Sequence, residues 1–160
     1  MLKAVPGLTR RASPLAAGGF GLSSPSELRD FVLGAKQRLT DARLAIRRVH
    51  EQTPGGLSTC RALAAALDEQ VVAVFERAVA DCEAAAPKLR RQVALVAHGG
   101  YGRSDTCPFS DVDVMLLVSP ALGAAVKPLA GRLVRDIGDL GLTVGHSVRT
   151  IADALDFARR

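Results

Sequence analysis

The chain contains no tryptophan, one tyrosine and five phenylalanines. Its interior must therefore be filled by leucine, valine and alanine, and it lacks the interleaved rings on which single-stranded nucleic acid stacks. Its three cysteines, Cys60, Cys82 and Cys107, are odd in number and show no metal-ligand spacing, which argues against a disulfide framework and against a zinc site. No apolar run approaches the roughly 18 residues that cross a bilayer. Nothing resembles a secretory signal. The expectation is a cytoplasmic protein without a membrane partner.

What is present suits one soluble domain: 160 residues, 48% of them apolar and 23% charged. The net charge of +5 would suit a polyanionic partner. Yet the basic residues, among them Arg47, Arg48, Arg90 and Arg91, are spread through helical segments and read as solvated surface, so no nucleic-acid partner is expected.

Residues 1–23 hold Lys3, Arg10 and Arg11, no acid, and much Gly, Ala, Ser and Pro. They read as a disordered tail. Ser24, Pro25 and Glu27 form a capping box, and apolar residues from Leu28 to Val49 recur every three or four positions, predicting a helix to about residue 52. After Pro54, Gly55 and Gly56 a second helix is expected over about 58–86, making a helical hairpin of residues 24–87. Residues 88–160 then form a second unit. Its elements are a strand at 92–98, a glycine loop, a strand at 111–118, a helix over about 121–139, a strand at 142–149 and a final helix capped by Thr150 and Asp153. That helix carries Ile151, Leu155 and Phe157 to the end of the sequence, the pattern expected of a truncated chain.

The chemistry concentrates in residues 99–113, where Gly99 and Gly100 are separated by ten residues from the pair Asp111 and Asp113. Side chains alternate along a strand, so both carboxylates should share one side with Val112 turned inward. Two like charges held that close call for a cation, and a hard ion such as Mg²⁺, which completes its shell with phosphate oxygens, is the natural occupant. Gly99, Gly100 and Gly102 leave backbone N–H groups open to phosphate. This pattern points to metal-dependent nucleotidyl transfer. Glycosyltransferases also use Asp-x-Asp, without the preceding strand and double glycine.

Three stretches carry a resemblance: Gly-Gly-Tyr-Gly-Arg at 99–103, Pro-Phe-Ser-Asp-Val-Asp at 108–113 and Val-Gly-His-Ser-Val-Arg-Thr at 144–150. In that order they resemble the N-terminal nucleotidyltransferase domain of the bacterial PII uridylyltransferase/uridylyl-removing family. Thr106 stands where that family usually has leucine, and His98 where a small apolar residue is usual.

The resemblance implies a DNA polymerase β-like nucleotidyltransferase fold of α/β (α+β) class, with a small mixed sheet behind the hairpin. It implies transfer of UMP from UTP to a tyrosine of the PII protein. Asp111 and Asp113 would be the catalytic metal ligands, for one or two Mg²⁺ ions. Gly99, Gly100, Gly102, Arg103 and Ser110 would bind nucleotide, and Tyr101, His146, Ser147 and Arg149 would line the site. Each has a plainer alternative: Arg103 pairing with Asp105, Ser110 capping its turn, Tyr101 packing on the sheet edge, His146 serving structure. No carboxylate lies on the strand at 142–149, where polymerase β-like enzymes commonly keep a third. Transfer of AMP instead of UMP, and a noncatalytic docking module of the same fold, remain the alternatives.

Overall fold

The Ser24 hydroxyl accepts a hydrogen bond from the Glu27 amide while the Glu27 carboxylate accepts one from the Ser24 amide, and helix α1 (Pro25–Gln52) starts from this closed box. A computed structural model describes residues 24–159; the tail expected at 1–23 lies outside the described residues. Helix α2 (Gly56–Glu83) follows after a break at residues 53–55. Arg38 donates to Gln70, and His50 meets Thr59 at 2.9 Å, so contacts run in opposite directions along the two helices. They form an antiparallel hairpin. Val32, Ala35 and Leu39 of α1 face Leu67, Val71 and Val74 of α2, as the periodicity predicts. Val49, expected inward, is 64% exposed, because the last turns of α1 run past the core.

A 3-10 turn (Leu89–Arg91) leads into strand β1 (Val93–Ala97), and a single helical turn, α3 (Gly99–Gly102), stands where a loop was expected. Strand β2 (Val112–Val118) pairs antiparallel with β1, matching Leu95 to Leu116 and Ala97 to Val114. Strand β3 (Val144–Arg149) pairs parallel with the other edge of β2. A parallel neighbour needs a crossover. A 3-10 segment (Pro120–Val126) and helix α4 (Lys127–Asp139) supply it. One continuous helix was expected there; Gly123, at φ 48° and ψ −126°, breaks it. Gly141, at φ 82°, turns the chain after α4. Helix α5 (Ile151–Ala158) opens on a second capping box made by Thr150 and Asp153, and its Ile151, Leu155 and Phe157 stay exposed.

The result is an α+β architecture with a three-stranded mixed sheet in the order β1-β2-β3. Val112, Val114 and Leu116 turn one sheet face toward α1, α2 and α4, and the apolar core runs without interruption from the hairpin to the sheet. Across that core, Arg132 of α4 forms an ion pair with Asp81 of α2 at 2.7 Å and donates a hydrogen bond to its own helix's Asp136 at 3.1 Å. Both carboxylates are buried, and the network fixes how α4 sits on the hairpin. Alternation leaves Asp113, Met115 and Leu117, all half-buried, on the opposite face. No helix among the described residues is long and apolar enough to cross a membrane.

Candidate functional site

Asp113 is the second residue of β2, and its position is set by three neighbours. Its carbonyl accepts the His98 amide at 3.0 Å, which ties it to the end of β1. Across the parallel pairing it stands opposite Gly145. A Cβ built on Gly99 would lie 2.5 Å from Asp113 Oδ2, and one built on Gly145 would overlap Oδ1. The carboxylate therefore sits between two glycines drawn from different segments, and Gly99 reaches its place with φ 59°, a backbone state that favours glycine. Gly102 closes against β1, since a Cβ there would come within 2.6 Å of the Ala97 carbonyl oxygen. At Gly100 the same addition meets open space.

Asp111 immediately precedes β2 and is exposed, while Val112 between the two acids is fully buried. Alternation along β2 turns the Asp113 carboxylate toward the face away from the helices. Neither acid pairs with a cation or accepts a hydrogen bond among the described residues. No group of three or more His, Cys, Asp and Glu side chains suited to a metal occurs among the described residues. The donor set is thus two free carboxylates. Magnesium takes one or two carboxylates and keeps waters and phosphate oxygens for the rest of its shell, so the set fits that ion.

The remaining expected site residues fall into separate places. Ser110 caps its turn, its hydroxyl accepting the Cys107 amide at 3.0 Å. Arg103 donates to Asp105 at 2.9 Å, and both side chains are exposed. Tyr101 turns into the core, where it is 5% exposed and gives its hydroxyl proton to Asp68 at 2.7 Å. Burial first, and then this bond to an acid, push the phenol well above its ordinary pKa.

On β3, Ser147 stands opposite Met115 and shares the face of Asp113. His146 stands opposite the buried Val114 and so turns to the helical face, away from the acids. Arg149 stacks on the Phe157 ring at 4.2 Å.

Two contributors had no assigned role in the sequence. Gly145 carries a readable signal, since a lone glycine within a strand marks a close approach. Asp68 carries none, being 33 positions from the tyrosine it binds.

No family model matches this chain, and no solved structure does. Curated relatives do. The chain is 35% identical over 126 residues to the bifunctional uridylyltransferase/uridylyl-removing enzyme of Aromatoleum aromaticum, an alignment covering 79% of this chain and 14% of that protein. The protein of the same name from Phenylobacterium zucineum is 33% identical over 125 residues, 78% of this chain and 13% of its own length. That of Pseudoalteromonas translucida is 46% identical over 67 residues, 42% of this chain and 8% of its own. The chain spans about a seventh or less of each relative. Over most of its length the chain is thus similar to a small part of proteins named bifunctional uridylyltransferase/uridylyl-removing enzyme.

Proposed function

We propose that residues 88–160 form a polymerase β-like nucleotidyltransferase core, built on the hairpin of residues 24–87, that transfers UMP from UTP to a tyrosine hydroxyl of the PII protein. The observation that carries this reading is the pair of unpaired carboxylates, Asp111 and Asp113, with Asp113 gripped between Gly99 and Gly145. Asp111 and Asp113 would hold Mg²⁺, and the ion would supply neutralisation of triphosphate charge there.

The chain's own residues do the rest. Asp111 and Asp113 would anchor the ion from either side of the buried Val112. Of the three glycines expected to bind phosphate, Gly102 spends its amide on the His98 carbonyl and packs against β1, and Gly99 packs against Asp113. Only Gly100 has open space where a side chain would stand, which favours it as the point of phosphate approach. Arg103 reaches developing negative charge only by exchanging its Asp105 partner for phosphate, and its exposure makes that exchange cheap. Ser110 contributes by keeping the turn before Asp111 closed, and Ser147 lies further along the same sheet face.

Thermal shift and calorimetric titration with Mg²⁺ and UTP test the reading, followed by incubation with PII and each labelled nucleotide in turn. The expected result is a Mg²⁺-dependent rise in melting temperature with UTP that disappears in Asp111→Asn and Asp113→Asn, and label reaching PII from UTP. Label arriving from ATP alone defeats the uridylyl assignment. A chain that shows no Mg²⁺-dependent nucleotide response while still capturing PII is a docking module.

A further inference from the structure

Three of the four residues of α3, Gly99, Gly100 and Gly102, have no side chain with which to hold the turn in place. Glycine also loses the most backbone freedom on ordering. Yet this turn places Gly99 against the Asp113 carboxylate, where tenths of an ångström decide the fit. The single side chain in the turn is Tyr101. Its ring is buried in the cluster that holds Leu67, Val71, Val112 and Leu142. Its backbone is enclosed on both sides: the Gly102 amide donates to His98, the Ser104 amide to the Tyr101 carbonyl and the Asp105 amide to Gly100. Fixing Tyr101 therefore fixes residues 98–105.

Ring burial alone does not set the depth or rotation of a tyrosine. The hydroxyl at its tip does, and here it donates to Asp68 of α2 at 2.7 Å, a charge-assisted bond of the shorter and stronger kind. We propose that Asp68 is a positioning residue: by holding the Tyr101 hydroxyl it locks the glycine turn onto Asp113 and so pre-forms the cation and phosphate site. The functional half of this inference rests on the nucleotidyl-transfer reading; the mechanical half does not. It also gives the hairpin a role in the site that neither helix performs through direct contact with the acids.

The test compares Asp68→Ala, Tyr101→Phe and Asp68→Asn with the unmodified chain, well below the unfolding temperature, by hydrogen exchange and by Mg²⁺–UTP titration. Tyr101→Phe keeps the ring and removes only the donor; Asp68→Asn keeps an acceptor. Exchange across residues 98–106 should quicken about tenfold in the alanine and phenylalanine variants, as loss of one charge-assisted bond implies, while exchange in α1 stays the same. Asparagine should restore most of the protection. Affinity for Mg²⁺–UTP should fall in the same two variants and recover with asparagine.

Because the chain has one tyrosine and no tryptophan, its intrinsic emission reports the Tyr101–Asp68 bond directly and should change in Asp68→Ala. Unchanged exchange over 98–106 in both disrupting variants overturns the proposal, as does equal Mg²⁺–UTP affinity in all four proteins. If the unmodified chain binds no nucleotide while exchange responds as stated, the nucleotidyl-transfer reading falls and the mechanical lock stands.

Discussion

Thr106 is the position where a single conservative change has a calculable sign. Its side chain is 1% exposed, and its hydroxyl has no hydrogen-bond partner among the described residues. A buried hydroxyl without a partner costs about 1–3 kcal/mol by protein mutational data. Valine has nearly the same shape and no oxygen, so Thr106→Val should stabilise the fold by about 1–2 kcal/mol. For a chain of this size that raises the melting temperature by about 3–7 °C. Thr106→Ser makes the opposite change, keeping the oxygen and losing a buried methyl, and should lower stability by about 1 kcal/mol. Thermal and urea unfolding followed by far-ultraviolet circular dichroism measure both. A melting temperature that is unchanged or lower in the valine variant means that the hydroxyl is bonded in solution, and the reasoning fails.

The glycine pair around Asp113 makes a second prediction. Gly145→Ala should cost about 1–3 kcal/mol, because the new methyl overlaps a carboxylate backed by the sheet, and should abolish the Mg²⁺-dependent thermal shift. Gly99→Ala adds an unfavourable φ of 59° to a similar collision, so it should be the more destabilising of the two in urea titration. Gly100→Ala, which meets open space, is the control and should leave stability within about 1 kcal/mol.

A third concerns alkaline pH. The Tyr101 phenol is held protonated by the fold, so its contribution to stability is complete below its ordinary pKa of 10.0 and is lost as pH rises beyond it. Phenolate absorbance should therefore appear together with the loss of helical dichroism; phenolate forming near pH 10 in a still-helical chain refutes the burial and the Asp68 bond.

Much of the fold was readable because its signals are local. Ser24 with Glu27 and Thr150 with Asp153 announce two helix starts by chemistry contained within four residues, and both boxes close as expected. The heptad-like run from Leu28 to Leu39 buries the face that the 3.6-residue period predicts. Where the outcome depends on how distant segments meet, local pattern falls short. Gly123 could have continued a helix at the usual cost of glycine; its left-handed backbone answers the need to bring α4 back over the sheet. Alternation along β3 implies that His146 and Ser147 face opposite ways, but not which one faces the acids. Only the register against β2, with His146 beside Val114 and Gly145 beside Asp113, decides that.

The same distinction explains why the candidate site was partly legible. The spacing of Asp111 and Asp113 is legible in the sequence, and a strand period of two would set them on one face, although the strand itself begins only at Val112. What makes Asp113 a defined ligand is the space around it, and that space is created by absent atoms. Gly99 and Gly145 lie 46 positions apart and meet only because β1 delivers one to the carboxylate while the parallel pairing of β3 delivers the other. A side chain at either position would collide with the carboxylate and push it toward a different rotamer. The chain thus carries its acids in one short motif and the geometry that aims them in three others: the turn at 99–102, the strand at 144–149 and Asp68 on the hairpin. A variant that keeps both acids but fills either glycine should lose the Mg²⁺ response as fully as Asp113→Asn does, and that comparison separates a site defined by its ligands from one defined by the room left for them.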